Sequence, residues 1–169
     1  MRLPQHKKAY DEETPIGEAL INALEELKRA DHQVYVSLKY TRTVDVIKNI
    51  LNRFINATKS AIDAYLLYAI EKKKLGEMPG SVMECISTFR SLASERPELV
   101  SFINLYIYMR NMNRSEYERF GEFRRNVTMR ITLDGATHDL TIDAMYELNR
   151  RTIAFVTAIR DIILSGEKP

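Results

Sequence analysis

Residues 43–74 read TVDVIKNILNRFINATKSAIDAYLLYAIEKKK and contain neither Gly nor Pro. Val44, Ile47, Leu51, Phe54, Ile55, Ile62, Tyr65, Leu66 and Ala69 fall on one helix face, because they recur at helical intervals. Thr43 offers the side-chain oxygen that an N-cap needs. Lys72, Lys73 and Lys74 put positive charge at the negative end of the helix dipole, and Gly76 supplies a stop. A helix over 43–74 is about 48 Å long at roughly 1.5 Å per residue. Such a rod needs a neighbour of similar length, which predicts an antiparallel bundle and a homodimer.

Upstream, Thr14-Pro15 opens a helix with Thr as cap and Pro at the first helical position. Leu20, Leu24, Leu27, Val34 and Leu38 keep helical spacing, and a break is expected near Tyr40-Thr41-Arg42-Thr43. Val34, Val36 and Leu38 also alternate, so a short strand is the other option there. Downstream, Ser81-Val82-Met83-Glu84 is a capping box that opens a third helix. Pro97 ends that helix and starts a fourth, which passes Arg110 with a kink expected at 113–115 and a fresh turn at Ser115-Glu116. The period then changes from 3.6 to 2. Val127, Met129, Ile131 and Leu133 alternate with polar residues, Asp134-Gly135 follows, and His138, Leu140 and Ile142 alternate again. That pattern predicts a β-hairpin over about 127–142, which must pack on the helices or on another copy because a lone hairpin is marginal. Asp143 is the expected cap of a last helix ending at Ser165-Gly166. The fold class is therefore mainly α, an antiparallel bundle with one small hairpin. Residues 1–13 read as a polar tail and 14–169 as one domain.

Composition agrees with that outline. Six Gly and five Pro among 169 residues are too few for a turn-rich all-β fold. Cys85 is the only cysteine, so neither an internal disulfide nor a cysteine metal cage can form, which suits a reducing cytoplasm. The first eight residues have no apolar run and do not read as a signal peptide. No stretch reaches the roughly 18 apolar residues of a membrane span. No cofactor motif is found. Walker and Gly-x-Gly-x-x-Gly loops, a serine elbow, His-Glu-x-x-His and Glu-x-x-His are all missing, and His6, His32 and His138 lie in unrelated segments.

Polar residues at apolar positions are the sharper pointers. Asp31 falls on the stripe of the first helix, and Arg110 and Asn113 fall on the stripe Leu99, Phe102, Ile103, Tyr106, Tyr117, Phe120. An unpaired buried charge is costly, so these groups must be paired, hydrated or used. One expectation is a buried pair of Asp31 with Arg110 or Arg124 that fixes helix register. The other feature is the stretch 110–130, which holds Arg110, Arg114, Arg119, Arg124, Arg125 and Arg130 against Glu116, Glu118 and Glu122. Its excess of three positive charges exceeds the +2 of the whole chain. Tyr106, Tyr108, Tyr117, Phe120 and Phe123 interleave with it. Arginine forks grip phosphate and aromatic rings stack on bases, so the mixture suits single-stranded nucleic acid. On a continuous helix Arg110, Arg114, Tyr117 and Arg124 would share one side. The plainer reading is a helix laced by Glu–Arg pairs.

Long antiparallel helices followed by Arg-Asn pairs resemble the HEPN superfamily. The pairs here are Arg110-Asn111 and Arg125-Asn126. Members of that superfamily are helical bundles, often dimeric and RNA-associated, and many are ribonucleases whose motif continues from Arg and a polar residue to a His. Neither pair here is followed by His, so the resemblance implies a non-catalytic or altered member. The expected function is non-enzymatic RNA binding through Arg110, Arg114, Tyr117, Arg124, Arg125 and Arg130. The alternatives are a protein-interaction or assembly module, and a His-independent ribonuclease.

Overall fold

The structure is a computed structural model that describes residues 11–169; most of the polar tail expected over 1–13 lies outside those residues. Thr14 accepts a hydrogen bond from the Gly17 amide and Pro15 takes the first helical position, so α1 (Pro15–His32) begins where the sequence places it. The alternation Val34, Val36, Leu38 does not make a strand. Instead Gln33–Ser37 forms one wide π turn, in which the Leu38 amide reaches the Gln33 carbonyl, and α2 (Leu38–Tyr40) follows. Five residues of local hydrogen bonding within a helix outweigh a three-residue alternation that has no neighbouring strand to pair with.

Thr43 caps α3 (Val44–Glu71) through the Val46 amide. The helix stops five residues short of Gly76. Lys73 takes the left-handed conformation at φ 58°, and the Lys74 amide closes back on the Ala69 carbonyl. One face of α3 packs along α1. With its continuation through the wide turn to Tyr40, α1 is a partner of similar length within the chain, and the length of α3 gives no reason of its own for a second copy. Ser81 and Glu84 form the expected capping box of α4 (Val82–Leu92), and Pro97 opens α5 (Pro97–Arg114). Tyr65, Phe89, Phe155 and Phe102 form a chain of rings through the core, with successive centroids 4.8, 5.8 and 4.4 Å apart. The last helix, α6 (Ile142–Ser165), is capped by Thr141 through the Ala144 amide, with Asp143 in its first turn and Gly166 left-handed after its end. The cap thus falls two residues before the expected Asp143, because Thr141 is the residue with extended backbone.

The segment after α5 is where the outline changes. No fresh helical turn starts at Ser115. The chain becomes β1 (Tyr117–Phe120), which pairs antiparallel with β2 (Thr128–Leu133), and β2 pairs with β3 (Ala136–Leu140). The hairpin β2–β3 turns at Asp134-Gly135, both at positive φ (51° and 78°), as a two-residue hairpin turn demands. The third strand and the helices α3 and α5 supply the packing that a lone hairpin lacks. Met129 and Ile131 are fully buried on the inner face. Register places Glu118, Arg130 and Asp139 in one row across the outer face.

Glu26 on α1 ties the long pair together. Its carboxylate accepts from Arg53 of α3 at 2.9 Å and from Arg29 at 2.7 Å. Burial pushes this carboxyl up, but the hydrogen bonds and charges of Arg53 and Arg29 outweigh burial and hold it below the ordinary glutamate value. A carboxylate with a lowered folded pKa contributes stability that is complete above its unfolded pKa and is lost as pH falls through the folded value. Glu26→Gln should therefore melt lower than the native chain near neutral pH, by about 1 kcal/mol. The difference should shrink between neutral pH and an acid pH below the lowered value of this carboxyl. Paired thermal melts at the two pH values check this.

Candidate nucleic-acid interface

The expected arginine surface is divided by the strand. α5 ends at Arg114, so Arg110, Arg114, Tyr117 and Arg124 do not share one helix side. Arg110 is half-buried and lies over the Tyr106 ring, 5.7 Å from its centroid. Its Nη1 has no hydrogen-bond partner among the described residues. Asp31 does not pair with it. The Asp31 carboxylate accepts from Asn149 Nδ2 on α6 at 2.9 Å, because Asp31 faces α6 while Arg110 lies over the ring of its own helix. A neutral amide thus partners Asp31, and the register-fixing charge pair is absent. Asn113, the other polar residue on that stripe, donates to Asn52 of α3 at 2.8 Å. Asn52 therefore faces α5.

Two arginines of the stretch are committed to the fold. Arg130 makes a two-pronged pair with Asp139 on β3 (2.7 and 2.9 Å) and stacks 4.6 Å from the Phe120 centroid. Its fork is thereby occupied, which removes it from the set able to grip phosphate. Arg119 crosses to Asp45 on α3 at 2.7 Å and also donates to Glu122. The hydrogen bond from Arg119 holds the Asp45 carboxyl below the usual range. Tyr117 lies on the inner side of β1, with Lys48 Nζ 4.4 Å from its ring centroid and Arg119 at 5.5 Å. Lys48 is not among the residues expected at this surface, since nothing in its spacing sets it apart from other polar positions of α3.

Arg114, Arg124 and Arg125 remain exposed and without a partner among the described residues. Arg124 and Arg125 sit on the β1–β2 loop, residues 121–127. The Glu122 carboxylate accepts from the Val44 amide at the start of α3 (3.2 Å), and the Phe123 amide donates to the Arg42 carbonyl (2.6 Å). Within the loop, the Arg124 amide returns to the Gly121 carbonyl and the Val127 amide to that of Arg124. Gly121 is required at its φ of 61°, since a Cβ there would lie 2.6 Å from the Asn126 carbonyl oxygen. The loop is thus a fixed shelf on the α2–α3 junction. Phe123 projects from it 76% exposed, and Tyr40, two residues before Arg42, is 77% exposed. The sequence places Phe123 among five interleaved aromatics without distinguishing it from the other four. No periodic pattern marks a loop residue.

An open groove of about 480 Å³ lies elsewhere, between α1, α3 and residues 78–85. Lys59 and Asp63 neutralise each other in it at 2.6 Å. Burial, then the nearby Asp63 charge, pushes the Cys85 thiol up, away from the reactive thiolate. Among the described residues no group of three or more His, Cys, Asp or Glu is placed to hold a metal ion, and no helix is long and apolar enough to cross a membrane. Comparison with family models, with curated proteins and with solved structures finds no match to this chain.

Proposed function

We propose that this protein is a non-enzymatic, cytoplasmic RNA-binding protein whose contact surface is the sheet end of the bundle. The supporting observation is the shelf at 121–127: two adjacent unpaired arginines beside an exposed Phe123, held by backbone bonds rather than free in solution. Arg114 adds a third cation before β1. A four-residue strand separates it from the shelf, a span of about 13 Å at roughly 3.3 Å per residue. Unpaired guanidinium groups suit phosphate, and exposed rings suit bases. The nearby acids are partly consumed, Asp45 and Glu122 by Arg119 and Asp139 by Arg130. The Arg-Asn pairs that resemble the HEPN motif contribute Arg125 to this surface, with Asn126 closing the loop through the Thr128 hydroxyl.

A second reading, assembly with a protein, rests on the opposite kind of surface. Tyr35 and Tyr146 pack with centroids 5.2 Å apart and stay 52% and 37% exposed, beside Val36. Fluorescence anisotropy of a labelled single-stranded RNA separates the two. Saturable binding that weakens steeply with salt is expected. Absence of binding at micromolar protein in low salt would remove the RNA reading and leave the Tyr35–Tyr146 surface as the one to test.

A further inference from the structure

Phe123 carries two costs that the fold does not recover. Its backbone is left-handed at φ 65°, a conformation that disfavours residues with a Cβ. Its ring is 76% exposed and makes no ring or cation contact among the described residues. Gly would relieve the first cost and remove the second, and the same loop already places a Gly at a left-handed position, Gly121. The strained conformation is held from outside by the 2.6 Å bond from the Phe123 amide to Arg42 of the neighbouring helix junction. Strain sustained in this manner, on a side chain aimed at solvent, is the kind found where a residue serves a partner. The residues that follow it, Arg124 and Arg125, fix the partner's charge as negative.

We propose that Phe123 stacks on an unpaired base, which makes the site selective for single-stranded over duplex RNA. The inference rests on the RNA-binding reading above and adds the residue that discriminates. A base within a duplex has both faces covered by its neighbours, whereas an unpaired base offers a face to an aromatic ring. Arg124 and Arg125 then meet the phosphates beside the stacked nucleotide. Because every base has a π face, this contact sorts strandedness and not sequence.

The chain has no tryptophan, so Phe123→Trp introduces a single one at the point of contact, excited at the red edge where the nine tyrosines do not absorb. Titrated with single-stranded RNA, this protein should lose emission saturably, while a duplex of the same length leaves emission unchanged at the same concentration. Phe123→Gly should bind single-stranded RNA about tenfold or more weakly, a loss within the range known for one stacked base. The same variant should melt at a higher temperature than the native chain, since it relieves the left-handed strain. Opposite movements of affinity and stability are not produced by a residue that merely supports the fold. Unchanged emission while anisotropy reports binding, or native affinity in Phe123→Gly, overturns the stacking and leaves the arginine surface standing. If the Trp variant does not bind, the Gly variant decides. Failure of the native chain to bind RNA removes both proposals together.

Discussion

Replacing Arg114, Arg124 and Arg125 together by glutamate should remove RNA binding at physiological salt and leave the melting temperature almost unchanged. All three are exposed, and none has a partner that the fold would lose. Each phosphate that a cation neutralises contributes about 0.7 to the slope of log affinity against log salt on a single strand, so loss of three contacts flattens that slope by about 2. Reversal of sign adds repulsion to the loss. Arg130→Glu is the instructive contrast. It breaks the pair with Asp139 and the stack on Phe120, so its first effect should be on the sheet's stability. Anisotropy titrations at several salt concentrations, with a thermal melt of each variant, test both statements. A triple variant that still binds with the native salt slope would move the contact surface elsewhere on the molecule.

Gly121→Ala should destabilise the protein by about 2 kcal/mol or more, an unusual figure for a half-exposed loop residue. Two penalties combine at this position. The backbone is left-handed at φ 61°, and the added Cβ would meet the Asn126 carbonyl oxygen at 2.6 Å and its carbon at 2.9 Å. Those atoms are main chain and cannot swing aside as the end of a flexible side chain can. Relief requires the loop to open, which pulls Glu122 from the Val44 amide and Phe123 from Arg42. RNA affinity should therefore fall with stability, although Gly121 itself offers nothing to a ligand. Gly135→Ala is the matching control. It has φ 78° but open space around the added carbon, so only the backbone penalty applies. Denaturant melts of the two variants should separate them clearly, and equal losses would show that the Asn126 contact is not limiting.

The helices were legible because their signals are local and repeated. Thr14-Pro15, Thr43, the Ser81–Glu84 box and Pro97 each mark a boundary within a few residues, and the structure uses each as read. The hairpin was legible for the same reason: Asp134-Gly135 lies between two alternating runs. β1 was not. Its four residues, Tyr117–Phe120, are too short for alternation to stand out from the helical pattern before them. What makes them a strand is pairing with β2, a contact made ten or so residues away in sequence. Missing β1 had consequences for the site. A continuous helix would have placed Arg110 and Arg124 on one side, whereas a strand and a tight loop send Arg124 outward and leave Arg110 over Tyr106. Partner choice was equally hidden. Asp31 was marked correctly as a polar residue needing company, but the choice of Asn149 over Arg110 depends on which helix each faces, and spacing carries no such information.

The wide turn at Gln33–Ser37 bears on how this chain can change in length. Val34 within it and Leu38 just after it stay buried, while Tyr35 and Val36 bulge outward. One surplus residue is thus absorbed within a single turn, and the rotational phase of the helix before and after it is kept. Elsewhere along the helix one inserted or deleted residue would rotate everything beyond it by about 100° and carry buried positions such as Leu27 off the core. At this turn the same change only tightens the coil to an ordinary α-turn or widens it again. The turn acts as a slip joint: a residue removed within it should leave the helix seated against α3.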